Sequence, residues 1–322
     1  GRMSLGDFFS KRFLRLAPAH LIMSTALVGL VLAADAVGLT PTHANWFDWS
    51  QLPAQVLLVQ SYGVPGGIGW NAPTWSISAL LGCYLFFPAI LKAVRKASAL
   101  QALAAGIALY LVADLLAWRF LGFPVYQMPL KHGFLRALPL FMMGVVLARV
   151  SDTLYIPPRV AKAVGLAAAL LFAGVQVAGN YGLLSLSLIA TIIVCAGAIP
   201  VAKCSRFVEV GALASFSLFI TNEVVRIAWL GVMEVAAAKL GWSVEVQWVM
   251  WAMGVLAAIG FGFVFYWLFD RPTQVMVKGL RLPSLARLAG RLPQPKATDF
   301  ADFASRAGYV EVLVDKGRFR AV

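Results

Sequence analysis

Apolar residues along the chain gather into eight runs, at about 17–38, 74–91, 98–118, 133–150, 161–179, 182–201, 209–236 and 246–269. The breaks between them are rich in Lys, Arg, Gly and Pro. Each run approaches the about 20 residues that a helix needs to cross a hydrocarbon core about 30 Å thick. The pattern predicts an all-α fold, a polytopic integral membrane helical bundle of about eight transmembrane helices. The run at 209–236 is long enough to be tilted or to hold a break. The longest connection, 39–73, carries Trp46, Trp49, Trp70 and the turn-rich run Gly63-Val-Pro-Gly-Gly-Ile-Gly69. Its aromatic residues suit an interfacial belt. Residues 51–61 are too short to span and are expected to lie in the interface.

Composition supports this reading. Hydrophobic residues make up 61% of the chain and charged ones 13%, with a mean hydropathy of +0.81. Soluble domains carry roughly 25% charge, so a water-soluble protein with one very large core is set aside. The net charge of +13 raises nucleic-acid binding. The cations fall instead in short clusters between apolar runs, as membrane orientation requires, and no nucleic-acid partner is expected.

With a cytoplasmic N-terminus, the inside clusters are Arg2, Lys11, Arg12 and Arg15; Lys92, Arg95 and Lys96; Arg149, Arg159 and Lys162; Lys203 and Arg206; and the tail from Arg271 onward. Arg119, Lys131, Arg136 and Lys239 fall outside, and Arg226 lies within a run. Lys and Arg concentrate on the cytoplasmic side of membrane proteins, so the expected location is a bacterial-type inner membrane with the C-terminus cytoplasmic. The tail, 272–322, is basic and broken by Pro283, Pro293 and Pro295. Little fixed structure is expected in it before 297, and its cations suit anionic lipid. A weakly amphipathic stretch at 297–307 and a strand-like one at 309–314 follow.

Few residues offer chemistry. Cys83, Cys195 and Cys204 show no paired spacing, and His20, His43 and His132 are scattered, so neither a disulfide framework nor a metal site is expected. His20 reads as an interfacial residue. Ionisable groups at membrane depth are costly and point to function. Glu223 and Arg226, three apart on one helix, qualify, with Thr221 and Asn222 beside them; an internal ion pair is the plainer account. Arg12 and Arg15 share a helical face just before the first run, with Pro18 suiting the first turn of the next helix. They read either as a positive-inside anchor or as a two-guanidinium grip for phosphate. Ser76 and Ser78 at the mouth of a run would bind a ligand or satisfy a backbone carbonyl. Phosphate loops, nucleophile elbows and paired carboxylates are absent from the sequence.

Five segments together resemble the acyltransferase-3 family of membrane O-acyltransferases. Phe8-Phe-Ser-Lys-Arg-Phe-Leu-Arg-Leu-Ala-Pro18 is similar to its Arg-x-x-Arg segment followed by proline. Asn71-Ala-Pro-Thr-Trp-Ser-Ile-Ser-Ala-Leu-Leu-Gly-Cys-Tyr-Leu-Phe-Phe-Pro88 resembles its Trp-Ser-x-Ser…Pro signature. Leu135 to Gly144, Ser215 to Thr221, and Asp270-Arg-Pro272 follow in the family's order. The resemblance implies a transferase that moves an acyl group, usually acetyl, from acyl-CoA to a hydroxyl of a sugar, cell-surface glycan or small acceptor. No bound cofactor is expected, with acyl-CoA as co-substrate. Partners would be the lipid bilayer and a carbohydrate or lipid-linked glycan.

The same resemblance assigns Arg12 and Arg15 to the coenzyme's phosphates, and Trp75, Ser76 and Ser78 to a central cavity. The family starts with two further helices, the first carrying a histidine base. The chain, opening Gly-Arg-Met-Ser, therefore reads as an N-terminally truncated acyltransferase-like domain over 1–271 with a basic cytoplasmic tail over 272–322. Leu80 and Asn222 stand where an acidic residue and a histidine are expected. In this form the chain is expected to be impaired, inactive or nearly so unless Glu223 takes over as base, with Asn222 as the second catalytic candidate and Arg226 beside the substrate. A non-enzymatic carrier or flippase, with Glu223, Arg226 and Asn222 as its midplane site, is the alternative; a catalytically silent assembly partner is another.

Overall fold

The computed structural model describes residues 5–38, 44–64, 69–179, 182–199 and 205–279. Its long helices are α1 (Leu5–Ala36), α3 (Trp75–Lys96), α4 (Ala99–Leu121), α5 (Gly133–Thr153), α6 (Pro158–Val177), α8 (Arg206–Leu240) and α9 (Val244–Phe265). Between α1 and α3 lie single helical turns and the short α2 (Leu52–Val56). A 15-residue helix, α7 (Leu183–Gly197), follows α6. A π turn, Tyr266–Asp270, joins α9 to α10 (Arg271–Gly279).

Local chemistry sets several ends. At the start of α4 the Ser98 hydroxyl accepts from the Gln101 N–H at 3.2 Å, and the Gln101 carboxamide accepts from the Ser98 N–H at 3.0 Å. This reciprocal pair satisfies two N–H groups that a helix start leaves open. Gly122 and Gly241 close α4 and α8 in the left-handed region, at φ 75° and 62°, where a side chain is unwelcome.

Seven segments are long and apolar enough to cross a membrane, so the chain is a multi-pass membrane protein. Helix α7 spans only about 22 Å at 1.5 Å per residue, short of the core thickness. Arg15, near the start of α1, bonds Asp270, at the end of the last crossing. The two share a face only if the number of crossings is even. Seven of the eight runs read from hydropathy are spans by length and composition among the described residues, and α7 is the short eighth, whose crossing would put Arg15 and Asp270 on one face.

Helix α1 lies between two groups: it packs on α8 and α10 on one side and on α3 on the other, while α3, α4 and α7 surround α5. Helix α9 packs along α8 through small residues, Gly254 against Trp229 and Gly262 against Leu218, as close approach in lipid favours. Ala19, Met23 and Leu27 of α1, Ile77 and Leu81 of α3, Ile220 and Val224 of α8, and Phe265 form the central core. Leu111 and Leu115 of α4, Leu166 and Leu170 of α6, and Trp248 and Leu256 of α9 face outward. Such an apolar exterior needs lipid around it.

Several expectations change. Helix α1 starts at Leu5, not near 17, so Arg12 and Arg15 are inside it and Pro18 is interior rather than first-turn. A proline there frees one carbonyl, which neighbouring groups in a membrane bundle can re-satisfy. Helix α8 runs its 35 residues without a break, about 52 Å against a core of about 30 Å, so it tilts or projects. Helical structure does not stop with the last run near 269. The helix continues through the π turn into α10, where the Gln274 side-chain amide donates to the Arg15 carbonyl at 2.9 Å. Fixed structure therefore extends to Gly279; the stretches at 297–307 and 309–314 lie outside the described residues.

Candidate functional site

The connection between α1 and α3 packs into the bundle, where its neutral polar side chains find their partners. Gln55 and Gln60 are buried, as are Asn71 and Thr74. The Gln55 side-chain amide donates to the Asn71 carbonyl at 2.8 Å and also to the Thr74 hydroxyl. The Gln60 amide donates to the same hydroxyl at 3.2 Å, and Thr74 passes its own proton to the Asn71 carbonyl at 2.7 Å. Asn71 in turn donates from Nδ2 to the Ile220 carbonyl of α8 at 3.1 Å. Non-helical backbone at membrane depth survives only when protein satisfies it, and this network does so.

The turns that allow the descent are strained. Leu58 and Trp70 sit at φ 55° and 56°, a region that bulky residues avoid. Trp70 is held there by its N–H to the Trp46 carbonyl at 2.7 Å and its indole N–H to the Asp48 carbonyl at 3.0 Å. A β-carbon at Gly69 would run into the Trp46 carbonyl, so the close crossing requires glycine. At the solvent end, the Asp48 carboxyl is held below its ordinary range, first by the Ser50 N–H. On the α5 side, the Ser61 carbonyl accepts from the Phe134 N–H at 3.1 Å, and the Ser61 and Tyr62 hydroxyls donate to the Trp75 and Ser78 carbonyls at 2.6 and 2.7 Å.

His20 meets this segment from α1. It is almost fully buried, at 1% exposure, in place of the interfacial position expected of it. Its Nε2 lies 2.9 Å from the Gln55 carbonyl. A carbonyl only accepts, so Nε2 carries a proton. Among the described residues, buried His20 Nδ1, Ser24 Oγ, Gln60 Oε1 and Asn71 Oδ1 have no hydrogen-bond partner.

Five residues nearer the start of α1, Arg15 donates to both Asp270 oxygens, at 2.9 and 3.3 Å. Ser217 of α8 donates to Asp270 at 3.0 Å, and Arg15 also lies over the Phe216 ring at 5.3 Å. The Asp270 carboxylate is fully buried while the Arg15 side chain is 27% exposed, so the guanidinium is anchored from within and presents its remainder outward. Arg12 points the other way around α1, over the Phe8 and Tyr84 rings at 5.4 and 5.8 Å. The two arginines therefore flank α1 rather than share one neighbour.

The remaining predicted residues disperse. Glu223 is buried and closed in a two-point pair with Arg226, at 2.9 and 2.6 Å, with Arg226 over Trp46 at 5.7 Å. Asn222 faces outward and does not join it. Trp75 lies under the Arg136 guanidinium at 5.2 Å. Ser76 bonds the Pro73 carbonyl at 3.0 Å, and the Ser78 hydroxyl receives the Ser61 N–H at 3.3 Å. Sequence reading missed His20, Ser24, Gln55, Gln60, Asn71, Thr74, Ser217 and Asp270 as parts of a site. One signal was present: no charged residue stands between Asp48 and Lys92, a span that includes a connection taken as interfacial.

The acyltransferase-3 family of acyltransferase domains matches residues 1–269, and the chain belongs to that family. It is also similar to acyltransferase MdmB of Streptomyces mycarofaciens, 34% identical over 95 residues, which cover 29% of this chain and 24% of that relative. No solved structure matches.

Proposed function

We propose that the protein is a membrane-bound O-acyltransferase of the bacterial inner membrane. It moves an acyl group, acetyl in the simplest case, from acyl-CoA to a hydroxyl of a sugar, a cell-surface glycan or a small acceptor. The observation that carries this reading is Arg15 on α1, anchored by Asp270 and five residues before buried His20, with Arg12 on the other flank of the same helix. Arg15 is fixed in direction by a buried carboxylate, and pre-oriented guanidinium groups suit phosphate. The donor's phosphates would sit at Arg12 and Arg15 on the basic, cytoplasmic face, with its thioester directed along α1 into the bundle. Membrane family, residue placement and the clustering of Lys and Arg on that face all support this arrangement.

Glu223 suits the base role poorly, since Arg226 neutralises it; the pair is better read as an internal brace on the acceptor side. Trp75, Ser76 and Ser78 hold the wall against which the re-entrant segment lies. The test is transfer of radiolabelled acetyl from acetyl-CoA in membranes containing the protein. Arg12→Ala and Arg15→Ala should each raise the KM for acetyl-CoA at least tenfold, the scale of losing one charge-assisted contact of about 1.5–3 kcal/mol. Full activity in both variants would remove the phosphate assignment.

A further inference from the structure

Arg15 and Arg226 each lie over an aromatic ring and also bond a buried carboxylate. Arg136 has the ring without the carboxylate. Its guanidinium lies over Trp75 at 5.2 Å, and its bond to the Met128 carbonyl is long, at 3.5 Å. Among the described residues, no carboxylate stands within ion-pair distance of it. Helix α3 carries no acidic residue, and the one acidic residue of α5, Asp152, is at its far end. Asp114 of α4 accepts from the Val125 N–H at 2.8 Å instead. A guanidinium has five N–H donors, so most of those on Arg136 lack a protein partner. The residue is partly exposed, so a ligand can reach it.

The ring is held in place for it. Gly133 and Arg136, three apart, share a face of α5, and a β-carbon on Gly133 would run into the Trp75 ring. The Ser61 hydroxyl donates to the Trp75 carbonyl at 2.6 Å, fixing the start of α3 at the same place. Neither helix formation nor orientation asks for an arginine here. Cations favour the last turn of a helix and disfavour the first, yet Arg136 and exposed Lys131 stand at the start of α5. That start lies beside the start of α3, at the end of the bundle away from Arg15, whereas the clusters that orient the chain gather at the Arg15 end. One turn into the helix, about 4.5 Å from its start, Arg136 suits the headgroup region. Exposed apolar groups adjoin it: Leu135, and Phe86, whose ring lies 6.0 Å from that of Phe134.

We propose that Arg136, presented on Trp75, binds the phosphate of an anionic membrane lipid at the end of the bundle opposite Arg15. The site stands apart from the transferase reading and does not need it. A guanidinium can keep its face on an aromatic ring while its edge meets two phosphate oxygens. A charge at membrane depth is costly unless it is paired, and the phosphate supplies the partner that the protein withholds. Lys131, at the same helix start, adds to the positive potential there. Leu135 and Phe86 offer the lipid's chains an apolar surface, which favours a lipid phosphate over a free ion.

The test treats the full chain, purified in dodecyl maltoside, with phenylglyoxal, which modifies accessible guanidinium groups, and reads each arginine by peptide mass spectrometry. Dioleoyl phosphatidic acid should slow modification of Arg136 by about fivefold or more, while exposed Arg119, at the same end of the bundle, should change little. Dioleoyl phosphatidylcholine, whose phosphate is neutralised by its own ammonium, should protect neither. Inorganic phosphate at the same concentration should not protect Arg136; protection equal to the lipid's would make the ligand a free anion and overturn the lipid assignment. In a native mass spectrometry titration, Arg136→Gln should weaken the tightest phosphatidic acid binding by about tenfold, the scale of one charge-assisted contact. Arg136→Lys, which keeps the charge and loses the fork, should recover only part. Equal losses in Arg119→Gln and Arg136→Gln would mean diffuse attraction by charge and overturn the site. So would an Arg136 in the parent protein that phenylglyoxal never reaches, or that phosphatidic acid leaves unprotected, whether or not the variants fold.

Discussion

Replacing Asp270 with alanine would leave the Arg15 guanidinium without its buried partner and strip the Ser217 hydroxyl and the Gln274 amide of an acceptor. Removing one member of a buried pair costs about 3–5 kcal/mol. Here part of Arg15 reaches the surface, so a loss of about 2 kcal/mol is the appropriate scale. A lower apparent melting temperature of the detergent-purified protein should follow. Asp270→Asn, which keeps the shape and an acceptor oxygen, should recover part of it. Equal melting for Asp270→Ala and the parent would mean that the carboxylate does not anchor α1 to the end of α9. The arginine spacing was visible in the sequence, but the anchor was not. Asp270 and Arg15 are 255 positions apart, and no local period reports a contact of that range. Local rules also misplaced Pro18, because a proline looks like a helix start wherever the preceding residues are too polar to read as membrane.

At the scale of one element, the re-entrant segment separates what hydropathy reveals from what it conceals. Run lengths located the long helices, since twenty apolar residues have few other solutions in lipid. A connection of mixed Gln, Ser, Val and Leu has no such single solution, and it read as interfacial. What places it inside is the bonding of its neutral amides to Thr74, Asn71 and Ile220, partners visible only in three dimensions. His20 was hidden for the same reason: one imidazole on an apolar helix does not announce which face is buried. The descent makes a direct prediction. Ser50→Cys, at an exposed turn, should react with a membrane-impermeant maleimide within minutes, while Gln55→Cys, buried four residues past Gln51, should resist it. Comparable labelling of both would put the segment in the interface and dissolve the network around His20.

Across the whole molecule, the position of Arg15 against Asp270 turns a question of helix length into one of parity. Helix α7 is too short for an average bilayer core, and a short apolar helix is often re-entrant. If it turned back, however, α8 and α9 would be inverted and Asp270 would stand a membrane's thickness from Arg15. Local thinning or tilt of neighbours can accommodate a short span, so the crossing is physically open and the ion pair calls for it. With the proposed cytoplasmic N-terminus, alkaline phosphatase fused after Val177 should be active, and inactive when fused after Ser205, beyond α7. Activity at both positions would remove α7 as a crossing and with it the shared face of Arg15 and Asp270. The reverse pattern, inactive after Val177 and active after Ser205, would invert the whole bundle. Arg12 and Arg15 would then face away from the cytosol, where acyl-CoA is made, and no donor could reach them.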